Sequence, residues 1–387
     1  MKKKKRIARF FALVLILIAV LAVSVGASDG DADLEALPDE YHDFLDSLPD
    51  GVLDKLPSEA PEGDRESLVS AANEMSGVTY LLGALFDAFG GAVTELLPTL
   101  ALLLGIVILS SISHTFASNF SGGLSAAVSF AARLCSFSSI AAISVGALSR
   151  LSEYFDSLFG AVAAFVPLSG VLYAMGGNLT GAASGSVTLS ATLAVCQFFF
   201  SETVIPVFCA CLSLSLLSVF EGIGASASGS VAATVKKWYT TALAFIMMIL
   251  TAAIAAQGIL ASKADGAAMR GMKFAASSFI PVSGGAVSST LGTLAASVEL
   301  IRGSVGVMGV VIILLMLIPV IVELAAMRGV LALTSFAAGL LGCSGEKRFL
   351  DEIGSLYGYL EGIAAISAAV FIIAFAVFAS TAAAVSG

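Results

Sequence analysis

The feature that most limits what this chain can become is a series of long, continuous apolar runs. They begin near Ala92 and recur to the C-terminal region with few charges between them. A soluble domain carries about 25% charged residues. Here 12% of the 387 positions are charged, 58% are hydrophobic, and the mean hydropathy is +0.99. So few charges cannot cover a water-soluble surface of this size, which makes lipid part of the solvent. In lipid only helices and closed barrels satisfy their own backbone. The runs lack the two-residue alternation of barrel strands. The expected fold is therefore all-α, a polytopic helical membrane protein of about 8 to 10 spans. Spans are predicted near 92–112, 124–148, 158–176, 186–220 (long enough for two), 239–261, 275–298, 304–326, 328–343 and 362–384. Polar breaks are predicted at 149–156, 221–237, 262–273 and 344–361, the first as a short interfacial helix.

The region before these spans has a different character. Met1-Lys-Lys-Lys-Lys-Arg6, an apolar stretch Phe10–Val23 and the small residues Val25-Gly-Ala27 follow the pattern of an export signal. Residues 1–27 are thus predicted to be a signal peptide, with an uncleaved signal anchor as the alternative. Either way the basic start stays in the cytoplasm and residues 28–79 lie outside it. Those residues hold fifteen acids against two bases, Lys55 and Arg65, a balance of −13. Prolines 38, 49 and 57 punctuate them, each suited to the first turn of a short helix followed by acids. Tyr41, Phe44, Leu45 and Leu48 share one helical face. The segment reads equally as a solvated acidic linker or as a partner-binding region, since Phe44, Leu48 and Leu53 would otherwise be exposed. Residues 80–387 form the predicted membrane domain.

That domain contains a repeated pattern. Phe165-Val-Pro-Leu-Ser-Gly170 recurs as Phe279-Ile-Pro-Val-Ser-Gly284, and Val204-Ile-Pro206-Val recurs as Leu317-Ile-Pro319-Val. The offsets are 114 and 113 residues, which predicts two related membrane halves. Proline removes a helix hydrogen bond, and the neighbouring Ser and Gly permit local unwinding. Paired interrupted segments mark binding or conduction sites in transporters. Pro167, Ser169, Gly170, Pro206, Pro281, Ser283, Gly284, Gly285 and Pro319 are accordingly candidate pathway or hinge positions; the alternative is that the prolines only kink packed helices. Ionisable residues at membrane depth are costly and become candidates by that fact. Glu202 is the most isolated and joins the pathway set. Glu299 and Arg302, three apart on one face, form a candidate ion pair. Glu95, Arg133, Glu323 and Arg328 are also placed in or beside spans, the last two where they can snorkel to an interface.

Other chemistries lack residues to carry them. There is no phosphate-binding Gly-rich loop ending in Lys-Ser/Thr, and neither His42 nor His114 has a triad or metal-ligand companion. The five cysteines lie in or beside apolar segments, as inert buried residues do. No basic patch with interleaved aromatics points to nucleic acid. No catalytic, cofactor-binding or metal site is expected. The partners open to such a chain are the lipid bilayer, other membrane proteins and further copies of itself.

An export signal, an acidic extracytoplasmic stretch and many spans accompany Phe279-Ile-Pro-Val-Ser-Gly-Gly285, Glu299-Leu-Ile-Arg-Gly-Ser-Val-Gly306 and the span through Pro319. In these the chain resembles the stage III sporulation protein AE family over most of residues 65–385. Arg302 stands where the family usually shows Lys, a departure that keeps the charge. The resemblance implies a spore-forming bacterium and the mother-cell membrane around the engulfed forespore. There the family belongs to a multi-protein channel or secretion-like complex with other membrane proteins. The repeated halves leave a stand-alone solute transporter as the competing expectation.

Overall fold

The computed structural model describes residues 39–58, 60, 65–117, 122–175, 179–219, 231, 233–254, 256 and 284–383. Among these residues all regular structure is helical. Three short helices come first: α1 (Asp39–Asp46), α2 (Asp50–Leu53) and α3 (Arg65–Met75). Long helices follow: α4 (Val78–Ala117), α5 (Gly122–Met175), α6 (Leu179–Gln197) and α7 (Val204–Val219), the last two joined by a π-helical turn at Phe198–Thr203. After them come α8 (Ala233–Ile254), α9 (Gly284–Leu340) and α10 (Ser344–Ala383). Six helical stretches are long and apolar enough to cross a membrane.

Several predicted breaks are not breaks. Helix α5 runs unbroken for 54 residues through 149–156, so the expected interfacial helix there is part of a longer one. Helix α9 runs unbroken for 57 residues, merging the spans predicted at 304–326 and 328–343. Residues 344–361 form the first half of α10. The predicted breaks failed because the apolar faces of these stretches, Leu151, Tyr154 and Phe155 in the first and Phe349, Leu350 and Ile353 in the second, are buried in the bundle while their polar side chains find partners at its surface. At 1.5 Å per residue α9 is about 86 Å long, far beyond the roughly 30 Å hydrocarbon core of a bilayer. The predicted breaks at 221–237 and 262–273 lie largely or wholly outside the described residues.

The architecture is built on an antiparallel hairpin of α9 and α10. Gly342 closes it with φ 76°, a left-handed conformation that side chains resist. The amide of Cys343 donates to the carbonyl of Ala338 at 2.9 Å and that of Gly342 to Gly339 at 3.4 Å, the double bond of a Schellman stop. Down the hairpin the two axes come very close. A Cβ on Gly306 would stand 2.6 Å from the Ala379 Cβ, and one on Gly309 only 1.9 Å from the Phe375 ring. Small residues allow this approach where lipid offers no hydrophobic force to join helices. Helix α4 runs parallel to α9, and α5 runs parallel to α10, as the contacts Ser111–Leu341, Tyr357–Ser144 and Tyr154–Ala364 show.

The described part of the acidic N-terminal stretch, from Asp39 onward, is not a free arm. Tyr41, Phe44, Leu45, Leu48, Val52, Leu68, Ala71, Ala72 and Met75 are all buried in the same core as the long helices. The Phe44 ring lies 5.9 Å from Phe165 and 6.4 Å from Phe375. The Tyr41 hydroxyl donates to the Ala60 carbonyl at 2.8 Å, and burial pushes that phenol well above its usual range. The apolar face of α1 thus meets the chain's own bundle rather than awaiting a partner.

The glycine notch generates a test. Replacing Gly309 with Ala forces the Phe375 ring, already 4.0 Å from the Phe165 ring, out of its place. Overpacking of this kind costs about 1–3 kcal/mol. Gly303 has open space at its Cβ, so Gly303→Ala should be neutral or gain up to about 1 kcal/mol in helix propensity. Thermal unfolding of both purified variants in detergent, followed by circular dichroism, checks the contrast.

Candidate functional site

The Pro167 element sits in the middle of the lower half of α5, and it does not unwind. The helix is continuous through Pro167, Ser169 and Gly170. The Ser169 hydroxyl donates to the Val166 carbonyl one turn back at 2.7 Å. Gly170 brings α6 close, since a Cβ there would meet the Ser186 hydroxyl at 3.0 Å. The expected local opening is replaced by tight packing. Pro319 likewise lies within continuous α9.

Pro206 behaves differently. Its ring would collide with the carbonyl four residues earlier, that of Glu202. The chain answers with the π-turn at Phe198–Thr203, which ends three residues before the proline and contains Glu202, an exposed residue. Inside this turn the Phe199 carbonyl accepts hydrogen bonds from the Thr203 hydroxyl and, at 2.8 Å, from the Tyr239 hydroxyl on α8. An irregular backbone is thereby satisfied by a neighbouring helix. Pro206 and Pro319 share sequence neighbours but not local structure.

Residues Phe165, Ser169 and Tyr173 fall at four-residue spacing on one face of α5 and line a cavity of about 40 Å³. Gly185 and Leu189 of α6, Ile254 of α8 and Ala374, Val377 and Phe378 of α10 complete it. That volume holds two or three waters. Behind its aromatic wall lies Arg302, 4% exposed, with its guanidinium 4.2 Å from the Tyr173 ring centre and 5.4 Å from that of Phe378. A desolvated cation over aromatic faces gains about 2 kcal/mol or more. The anticipated partner, Glu299, has its side chain outside the described residues, as do Pro281 and Ser283 altogether. Gly284 and Gly285 form the start of α9. The second Pro-Ser-Gly element therefore cannot be set beside the first.

A second constellation was not anticipated as a unit. Arg150 of α5 donates from Nη1 to Glu95 of α4 at 3.1 Å and from Nε to Glu323 of α9 at 2.8 Å. Arg328 of α9 meets Glu361 of α10 at 2.8 Å, lying across Gly358, where a Cβ would be 3.0 Å from the guanidinium carbon. Four long helices are thus tied at one level by two arginines and three glutamates. Glu323 is 18% exposed and Arg328 34%, each turned to its partner. Further up the hairpin the Ser335 hydroxyl donates to Asp351 at 2.8 Å, and the Ser110 hydroxyl to the buried Glu346 at 2.8 Å. The spacing Leu148, Leu151, Phe155 around Arg150 was the available signal, since it is helical across the supposed break.

The sequence profile of the stage III sporulation protein AE family matches residues 66–382. No curated protein and no solved structure matches the chain.

The belt yields a measurable asymmetry. Glu323 is 18% exposed against 64% for Glu95, so the inner pair is the less screened. A double-mutant cycle of Arg150→Met with Glu323→Gln should show coupling near 1 kcal/mol. The cycle with Glu95→Gln should show clearly less. Thermal unfolding of the single and double variants reads both.

Proposed function

Because the chain belongs to the stage III sporulation protein AE family, we propose that it is a membrane subunit of the channel or secretion-like complex joining mother cell to forespore. In this reading it crosses the mother-cell membrane around the forespore several times and acts with other membrane proteins of that complex. It is a sporulation protein of the membrane without catalytic residues of its own, and it serves as a channel or platform component.

One observation favours this over a stand-alone solute transporter. A site for a small organic molecule occupies about 300–1,000 Å³. The two best-formed cavities among the described residues measure about 40 and 10 Å³. The space beside the Pro167 element admits water and little more. A body packed in this way works through its surfaces and its partners. The elements at Phe165–Gly170 and Phe279–Gly284, with Glu202, Pro206 and Pro319, are proposed to border or gate a route that only the assembled complex completes.

Deleting the gene in its host should arrest sporulation after engulfment, and the tagged chain should co-purify from sporulating cells with other membrane proteins encoded beside it. Normal sporulation of the deletion strain contradicts the proposal. Movement of a defined solute by the purified chain alone in lipid vesicles would favour the transporter instead.

A further inference from the structure

The half of the bundle below the Arg150 level matches one bilayer. Uncharged stretches cover 157–175 of α5, 179–201 of α6 and its π-turn, 303–322 of α9 and 362–383 of α10, which is 19 to 23 residues each. At 1.5 Å per residue they are about 28–35 Å long, the thickness of a hydrocarbon core. Yet the two flanks of this half differ in kind. On the α6 and α8 side, Val187, Phe198, Phe245, Met248 and Ile249 are all more than half exposed. No ionisable carboxylate or amine interrupts 179–201 or 238–254. That is a lipid-facing surface.

The opposite flank carries α1. Its Phe44 is seated against Phe165 and Phe375, so the helix lies nine residues into the uncharged stretch of α5. Its outer side presents Asp39, Asp43 and Asp46, all exposed. Helix α4 is joined to the same N-terminal layer by the Tyr80 hydroxyl, which donates to the Lys55 carbonyl. Its own outer side is mostly apolar, with Val78, Leu82, Phe86, Phe89 and Val93 exposed beside Asp87. Carboxylates turned to acyl chains are expensive, and at membrane depth such groups face protein or a water-filled cavity. On α1 the exposed side chains are His42 and three aspartates, and the helix contains no Lys or Arg to offset them.

We propose that the outer side of α1 faces water at the depth of the bilayer, as one wall of an aqueous vestibule, while the α6–α8 flank faces lipid. This rests on the reading that the bundle crosses a membrane. It adds which side the route lies on. The wall is made partly by the N-terminal layer, so α1 is a lining element and not a tether. Phe44 is the peg that holds it against the bundle.

Accessibility of single cysteines tests the assignment in membranes containing the full chain. The five native cysteines are first replaced, and one cysteine is introduced at His42, Asp43, Asp46, Phe245 or Met248. A membrane-impermeant maleimide reacts with thiolate in water and spares thiols in hydrocarbon. Labelling at positions 42, 43 and 46 should be at least about tenfold faster than at 245 and 248. His42→Cys removes no carboxylate and covers the case in which Asp43→Cys or Asp46→Cys disturbs folding. Fast labelling at all five positions would place this half outside the bilayer and overturn the membrane placement itself. Protection at all five would leave that placement standing and overturn the aqueous wall alone.

Discussion

The structure depends first on the close approach of α9 and α10 at Gly306 and Gly309. In a lipid solvent, association of helices relies on van der Waals contact, and contact improves where backbones lose their side chains. The notch at Gly309 receives the Phe375 ring. That ring then supports Phe165 of α5 at 4.0 Å, and both support Phe44 of α1. One missing Cβ thus sets the position of three further elements. The tight glycine stop at Gly342 fixes the register by turning the chain back at a defined residue.

Above that apolar level the same helices are joined by charge. Arg150 reaches two carboxylates on two helices, and Arg328 reaches a third on α10. These contacts are exposed enough that each contributes modestly to stability. Their stronger effect is on register, because a one-turn slip of α5 would separate Arg150 from both partners and a slip of α4 would separate it from Glu95. Glycine packing below and charge pairing at the Arg150 level thus hold the same unbroken helices together.

The helical class and the membrane character were legible because apolar runs of this length have few other solutions. Boundaries were not. Residues 149–156 and 344–361 look like surface loops in isolation, since Arg150, Glu153, Glu346 and Lys347 are polar. What keeps them helical is partners 55 to over 200 positions away, such as Glu95 for Arg150 and Ser110 for Glu346. The prolines misled in a related way. Pro167 and Pro319 are absorbed by long helices already held by packing, whereas Pro206 alone has a π-turn ahead of it. The apolar face of α1 was visible as Tyr41, Phe44, Leu45 and Leu48, but a face does not name its partner. Arg302 lies against the rings of Tyr173 and Phe378, and its expected pairing with Glu299 falls outside the described residues.

The central claim is that α9 and α10 meet as a glycine-notched antiparallel hairpin on which the remaining helices and α1 are assembled. Disulfide trapping tests it most directly. In a background without native cysteines, Leu331→Cys and Gly354→Cys place two Cβ atoms 4.0 Å apart across the hairpin, the separation a disulfide needs. Oxidation of native membranes should join them within one chain in high yield, while Leu331→Cys with Gly362→Cys should remain unjoined. Failure of the first pair, with ready joining of the second, would contradict the register and the account built on it.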